Sequence, residues 1–292
     1  MVTRLLSFAL ISVLFTFAGR PASAHPGAAI VVDAKGHVYF VDTGHGVWTV
    51  DAAGQLVDLG GPAFHWMTLD SDGRFAKLRV QGGDFEFVGK SIEGGVLILS
   101  SDFPVALSDG LVYYAPYAKT PPLRVLRLNR DGHAEPAAVI ETRAQWLNGL
   151  ARGPDGLYFT EDDAVKRLTS DGVVSVIADK VRPAECSADR VPETSVPYLR
   201  GPAIAPNGDV YVAATGCRVV VRIARRGGAV TTVLRAEHPW APTAVALHGD
   251  VVYVLEYLHT PGDDRRQWLP RVRKVDAGGR VVTIATVNRP TR

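Results

Sequence analysis

One phrase recurs along the chain, and its recurrence constrains the fold more than any other feature. It is a small or apolar run, a turn containing glycine, then an apolar strand centred on tyrosine. It reads AAIVVDAKGHVYFVD from Ala28, NGLARGPDGLYFTE from Asn148 and RGPAIAPNGDVYVAA from Arg200. Looser copies are DFPVALSDGLVYYAP from Asp102 and APTAVALHGDVVYVLE from Ala241, and a degenerate one, HWMTLDSDGRFAKL, starts at His65. The turns Lys35-Gly36, Asp72-Gly73, Asp109-Gly110, Asp155-Gly156 and Asn207-Gly208 place glycine where a tight hairpin needs positive φ. The flanking runs of Val, Ile, Leu and Tyr are short, as strands are. Further strand-turn-strand units follow each phrase, as in VWTVD-AAG-QLVDLG and VKRLTSDGVVSVIA. Four strands per repeat and six repeats predict an all-β, six-bladed β-propeller with four-stranded antiparallel blades around a central channel. A large sandwich is the rival all-β fold, but it has no need to repeat one phrase six times, whereas radial repetition does.

Length supports a single closed domain once the leader is set aside. Arg4 precedes the apolar run Leu5 to Ala18, Gly19, Arg20 and Pro21 break it, and Ala22-Ser23-Ala24 has the small-x-small pattern of a cleavage site. Residues 1–24 therefore read as a signal peptide and 25–292 as one propeller domain of 268 residues (292 − 24). A secreted or periplasmic location is expected, with no membrane attachment after cleavage. Removing Arg4 and Arg20 lowers the basic count from 32 to 30, against 30 acidic residues, so the mature chain is formally neutral. A neutral chain without a basic stripe lacks the electrostatic footprint of a nucleic-acid binder. The expected partner is a small-molecule ligand, and the expected state a monomer. Two cysteines in an exported chain more often pair than stay free, so a Cys186–Cys217 bridge is expected, tying a long irregular insertion to the next repeat.

In a propeller the residue just before each innermost strand lies near one mouth of the channel. Aligned on the turn glycines, these residues are Ala28, His65, Asp102, Asn148, Arg200 and Ala241. Four of the six are polar and chemically capable. A second ring, three residues beyond the strand tyrosine, holds Asp42, Pro116, Glu161, Ala214 and Glu256, and His45 and His259 lie in the loops that follow. Carboxylates in this second ring either accept hydrogen bonds from turns and hold neighbouring blades, or face a ligand. The first ring has three readings. Asn148 and Asp102 cap backbone while His65 packs under Trp66; or Asp102, Asn148 and His65 hold a divalent metal; or Arg200 grips an anionic group without a metal.

The phrase Leu147-Asn148-Gly149-Leu150 followed by Pro154-Asp155-Gly156-Leu157-Tyr158-Phe159-Thr160 closely resembles the fourth-blade phrase of the gluconolactonase/regucalcin family. The repeats as a whole are similar to the NHL repeats of peptidylglycine amidating lyases. The first resemblance implies one divalent metal ion, Ca²⁺, Zn²⁺ or Mn²⁺, at the channel mouth, with Asn148 among its ligands. The family's first-blade glutamate falls on Ala28 and its later aspartate on Arg200, so two ligands are missing. The second resemblance implies zinc held by histidines, for which His65, His45 and His259 are the candidates.

Two functions from different classes remain open on the sequence. One is an exported gluconolactonase/NHL-like propeller binding a small polar or anionic ligand at the channel mouth, acting as a metal-dependent lactonase- or esterase-like hydrolase. His65 and Asp102 would then be the catalytic pair, and Arg200, Asn148, Glu161, Glu256 and His259 would bind substrate. The other is a non-catalytic binding or scaffold propeller, for which Trp240 and Trp268 are candidate exposed aromatics.

Overall fold

Each turn-glycine phrase but one folds into the inner hairpin of a blade. The computed structural model describes residues 26–82, 85–142, 144–187, 196–226, 228–258 and 268–288. The expected leader and His259 lie outside these residues. Blade one runs outward in chain order as β1 (Ile30–Val32), β2 (Val38–Asp42), β3 (Gly46–Val50) and β4 (Leu56–Gly60). Blade two contains β5 (Trp66–Asp70), β6 (Arg79–Gly82), β7 (Phe85–Ile92) and β8 (Gly95–Ser100). Blade three contains β9 (Val105–Ser108), β10 (Leu111–Tyr114), β11 (Leu123–Leu128) and β12 (Ala134–Ile140). Blade four contains β13 (Gly149–Gly153), β14 (Gly156–Thr160), β15 (Val165–Leu168) and β16 (Val174–Ala178). Blade five contains β17 (Leu199–Ile204), β18 (Val210–Ala214), β19 (Val219–Ile223) and β20 (Val230–Arg235). Blade six contains β21 (Trp240–His248), β22 (Val251–Leu258), β23 (Pro270–Val275) and β24 (Val281–Thr286). All strand pairs are antiparallel. The protein is a six-bladed β-propeller.

Local chemistry accounts for the repetition. At the outer hairpins a side-chain oxygen accepts the amides two and four residues on: Asp51 from Ala53 and Gln55, Asn129 from Asp131 and His133, Asp276 from Gly278 and Arg280. The glycine three residues after each of these takes φ near +80°, as Gly54 and Gly279 do, where a β-carbon would be strained. In five blades the outermost strand also carries a bulge, opposite a register shift in the third strand. The bulged residues are Leu59, Ala137, Ile177, Val233 and Ile284, and each packs on a hydrophobic cluster. A bulge twists an edge strand and disrupts its hydrogen-bonding row, which protects a propeller's outer rim.

Blade two departs from the expected pattern. Its strand order is β5-β8-β7-β6, so the chain leaves the inner strand for the rim and works back inward. The Asp72-Gly73 turn therefore closes no inner hairpin. The buried Asp70 carboxylate accepts the Phe75 amide at 2.9 Å, and Phe75 is fully buried against the blade. The β-carbon of any other residue at Gly89 would lie 2.0 Å from the Phe75 carbonyl oxygen, so only glycine there leaves room for this segment.

The innermost strands pack in the ring order β1, β5, β9, β13, β17, β21, and β21 returns to β1. Every blade is built from one contiguous stretch of chain, so the ring closes by packing and not by strand exchange. At this seam the Tyr257 hydroxyl of β22 donates to the Val41 carbonyl at 2.6 Å and accepts from Thr43 N–H and Oγ1, both at 3.3 Å. The channel is lined by small and apolar residues such as Ala28, Met67, Val105, Gly149, Pro202 and Ala244, which leave a cavity of only about 50 Å³. Cys186 and Cys217 are joined by a disulfide, as expected, which pins the insertion after blade four to blade five.

Candidate functional site

One open space on the mouth face lies beside the channel, over blades three and four. It is a cleft of about 840 Å³ between the β12–β13 connection (Glu141, Thr142, Gln145, Trp146) and the β14–β15 turn (Glu161, Asp162, Asp163), with Lys166 and Asn148 at its base. The two walls are held from below by one side chain. Asn148 is 3% exposed, its Oδ1 accepts Trp146 Nε1–H at 2.9 Å, and its Nδ2 donates to Asp162 Oδ1 at 2.9 Å. A buried primary amide so engaged fixes the indole edge and the carboxylate relative to each other.

Trp146 is 45% exposed and Tyr117 50%, and their rings stack at 6.1 Å with an interplanar angle of 23°. Tyr117 donates to Gln145 Oε1 at 3.1 Å, and Ala118 N–H donates to the Gln145 carbonyl at 2.8 Å, so the two loops form one platform. The opposite wall is anchored by backbone: the Asp162 carbonyl accepts Leu199 N–H and the Asp163 carbonyl accepts Val181 N–H. Glu161 pairs with Lys166 at 2.8 Å and Asp163 with Arg182 at 3.5 Å. Glu141 and Asp162 have no basic partner among the described residues.

The expected site residues separate into different environments. Asn148 and Glu161 belong to the cleft. Glu256 does not: it is fully buried in blade six, where it accepts Arg271 Nε and takes Arg273 Nη2 at 2.6 Å, a cross-strand ion-pair network shared with Glu237. Asp42 likewise accepts Gly44 N–H and Trp48 Nε1–H at the end of its own strand. His45 stacks on Trp48 and pairs with Asp58 at 2.7 Å on the exposed rim. Arg200 is 3% exposed; its Nη2 donates to the Pro26 carbonyl at 2.7 Å and its guanidinium lies 5.4 Å from the Tyr198 ring centroid. It is thus a strut between blade five and the segment entering blade one. Asp102 is exposed, and its carboxylate accepts Ser101 Oγ. His65 is half-buried at the junction of blades one and two, its backbone N–H on Ser100 and its carbonyl receiving Ala28 N–H.

These residues do not fit the divalent metal that the family resemblance implies. The Asn148 amide is committed to Trp146 and Asp162, Asp102 stands exposed on Ser101, and a buried guanidinium occupies the position of the expected aspartate. Among the described residues no group of three or more His, Cys, Asp or Glu side chains converges as a metal site would require. The aromatics named as exposed candidates are also placed differently. Trp268 is 4% exposed in the core, and Trp240 lies under Arg271, whose guanidinium carbon is 4.2 Å from the ring. Trp146 and Tyr117 are not among the residues expected from the sequence, although their positions carry a signal. Tyr117 directly follows the ring position Pro116 and Trp146 stands two before Asn148, on adjoining blades.

No protein-family model matches the chain, and no curated protein matches it. Solved structures similar to it include a chain of a nidogen/laminin complex (13% identity over 87% of this chain and 93% of that one, TM-score 0.57). A streptogramin B lyase is similar at 13% identity over 89% and 84% of the two chains, TM-score 0.52. A catalytically inactive virginiamycin B lyase from Staphylococcus aureus with quinupristin is similar at 13% identity over 90% and 85%, TM-score 0.51. At such identities the likeness is one of fold alone, and it is the fold described above.

Proposed function

We propose that the protein is an exported, ligand-binding β-propeller that holds a small polar molecule in the cleft over blades three and four. The cleft itself carries this reading. Its volume of about 840 Å³ falls within the range of small-molecule sites, roughly 300–1,000 Å³. It combines an exposed aromatic platform with a few polar groups held rigid by the buried Asn148. The Cys186–Cys217 bridge supports an oxidising compartment, in keeping with the leader-like residues 1–24. The resemblance of residues 147–160 to the gluconolactonase/regucalcin phrase is consistent with a ligand near Asn148. The metal-dependent lactonase chemistry of that family is not adopted, because the mouth residues do not form its ligand set and Asp102 bonds to Ser101 in place of orienting His65. The scaffold alternative has less support from its candidate aromatics, since Trp268 is buried and Trp240 is half-buried beneath Arg271.

The test is a thermal-shift panel of polar small molecules run on wild type, Trp146→Ala and Asn148→Ala, with folding checked by circular dichroism. A ligand at a hundred times its Kd stabilises the folded state by about 2.7 kcal/mol, a shift easily read. The shift should appear in wild type and vanish in Trp146→Ala. Hits that shift all three proteins equally would place the ligand elsewhere and refute the proposal.

A further inference from the structure

We infer that the cleft selects a small organic cation, an ammonium or guanidinium carried on a short apolar chain or flat group. This rests on the cleft being the ligand site, and it specifies the charge of what enters. Among the described residues the basic side chain that lines the cleft is already occupied, as are two others on this face. Arg200 is turned inward to Pro26, Lys166 is held by Glu161 at 2.8 Å, and Arg182 is drawn to Asp163 at 3.5 Å. An entering anion would therefore meet carboxylates, and no described residue lining the cleft offers it an unpaired cation.

An entering cation finds the opposite. Asp162 is exposed, and only its Oδ1 is engaged, by the neutral Nδ2 of Asn148 at 2.9 Å. Its second oxygen is left to accept a charge-assisted hydrogen bond, which is shorter and stronger than a neutral one. Trp146 stands on the facing wall with nearly half its surface open, and an indole is the best aromatic partner for a cation. Asn148 sets the spacing between the two, because its oxygen holds the indole N–H while its nitrogen holds the carboxylate. Glu141 supplies a second carboxylate, without a basic partner among the described residues, on the Trp146 side of the cleft. Two unpaired carboxylates favour a ligand with two positive ends. Asn148 is thus a positioning residue, and Asp162 and Trp146 are the contacts.

The experiment uses the whole protein and three probes of similar length: agmatine (guanidinium and ammonium), glutarate (two carboxylates) and 1,5-pentanediol (neutral), titrated by calorimetry at low and high salt. Agmatine should bind and glutarate should not, and salt should weaken the binding. Losing one charge-assisted hydrogen bond should cost agmatine about tenfold or more in Asp162→Asn, with a smaller loss in Glu141→Gln. Both variants keep their shape and a hydrogen-bond acceptor, and their unfolding temperatures should match wild type. Glutarate or the diol binding in a Trp146-dependent way, with agmatine inert, would overturn the cation inference and leave the cleft reading standing. Agmatine that binds but ignores both Asp162→Asn and Trp146→Ala would overturn the inference as well. N-acetyl-arginine amide, with its single cation, should bind more weakly than agmatine, and tighter binding would overturn the preference for a ligand with two positive ends.

Discussion

Beside its apolar packing, the seam between blades six and one should be measurably strengthened by a single phenol. Because the ring closes without strand exchange, the Tyr257 hydroxyl is a cross-seam link, donating to Val41 and accepting from Thr43. Tyr257 is 1% exposed, Thr43 1% and Val41 0%, so water does not replace the phenol freely. Tyr257→Phe keeps the ring and its packing but leaves the Val41 carbonyl and the Thr43 N–H unsatisfied. At about 1–3 kcal/mol for each orphaned buried group, with some relaxation, the loss should be about 2–4 kcal/mol. For a domain of this size that lowers the unfolding temperature by roughly 5–15 °C. Tyr253→Phe is the matched control, since that hydroxyl on the same strand makes no hydrogen bond to a described residue.

Scanning calorimetry of the two variants tests the magnitude, and pH tests the cause. Burial first, and then the Asp42 carboxylate, push the Tyr257 phenol well above its ordinary range. The folded state thus keeps this proton while the unfolded chain loses it near pH 10. The phenol's contribution is present below pH 10 and is lost as pH climbs through the folded value. Wild type should lose stability above pH 10 more steeply than Tyr257→Phe. The slope that remains in the variant should come in part from Tyr39, which burial and Asp33 push up to about 12. A Tyr257→Phe protein that melts within a degree or two of Tyr253→Phe, with the same alkaline slope as wild type, would refute the claim that this contact strengthens the seam.

Three further outcomes follow from other parts of the molecule. Replacing Cys186 and Cys217 by serine opens a cross-link spanning 31 residues, worth about 3–4 kcal/mol in chain entropy; calorimetry should show a lower unfolding temperature that reductant no longer changes. Gly201→Ala should cost more than about 2 kcal/mol in denaturant titration, because its β-carbon would sit 2.5 Å from the Ala244 Cα at φ +47°, whereas Gly249→Ala, also at positive φ but with open space around it, should cost only about 1 kcal/mol. Burial alone would raise the Asp209 pKa, but bonds from the Arg225 N–H, Arg222 and Asn207 outweigh it and hold the carboxyl below its usual value. Its stabilisation is therefore present above pH 4 and lost on acidification, and Asp209→Asn should flatten the acid limb of the stability curve.

What was legible in the sequence, and what was not, divides along the range of the interactions involved. The inner hairpins were legible because a turn glycine and its preceding Asp or Asn act within four residues. Blade two shows the limit of that signal. Asp72-Gly73 is as good a turn dipeptide as Asp155-Gly156, but Asp70 and the burial of Phe75 send the chain to the rim, and Gly89 makes the space from fourteen residues away. Asn148 was found, but the direction of its amide was not, since that depends on Trp146 and Asp162 reaching it from two different loops. Sequence alone presents the rings as a list of chemically capable side chains, with Ala28 and Arg200 standing where the resemblance implies ligands. The structure gives Arg200 a different role: it is buried and reaches from blade five to the Pro26 carbonyl ahead of blade one. An arginine that resembles an anion clamp in the sequence is spent on linking blade five to the segment entering blade one. The proposed ligand site lies in the neighbouring cleft, where the carboxylates without a basic partner among the described residues would set the charge of what binds.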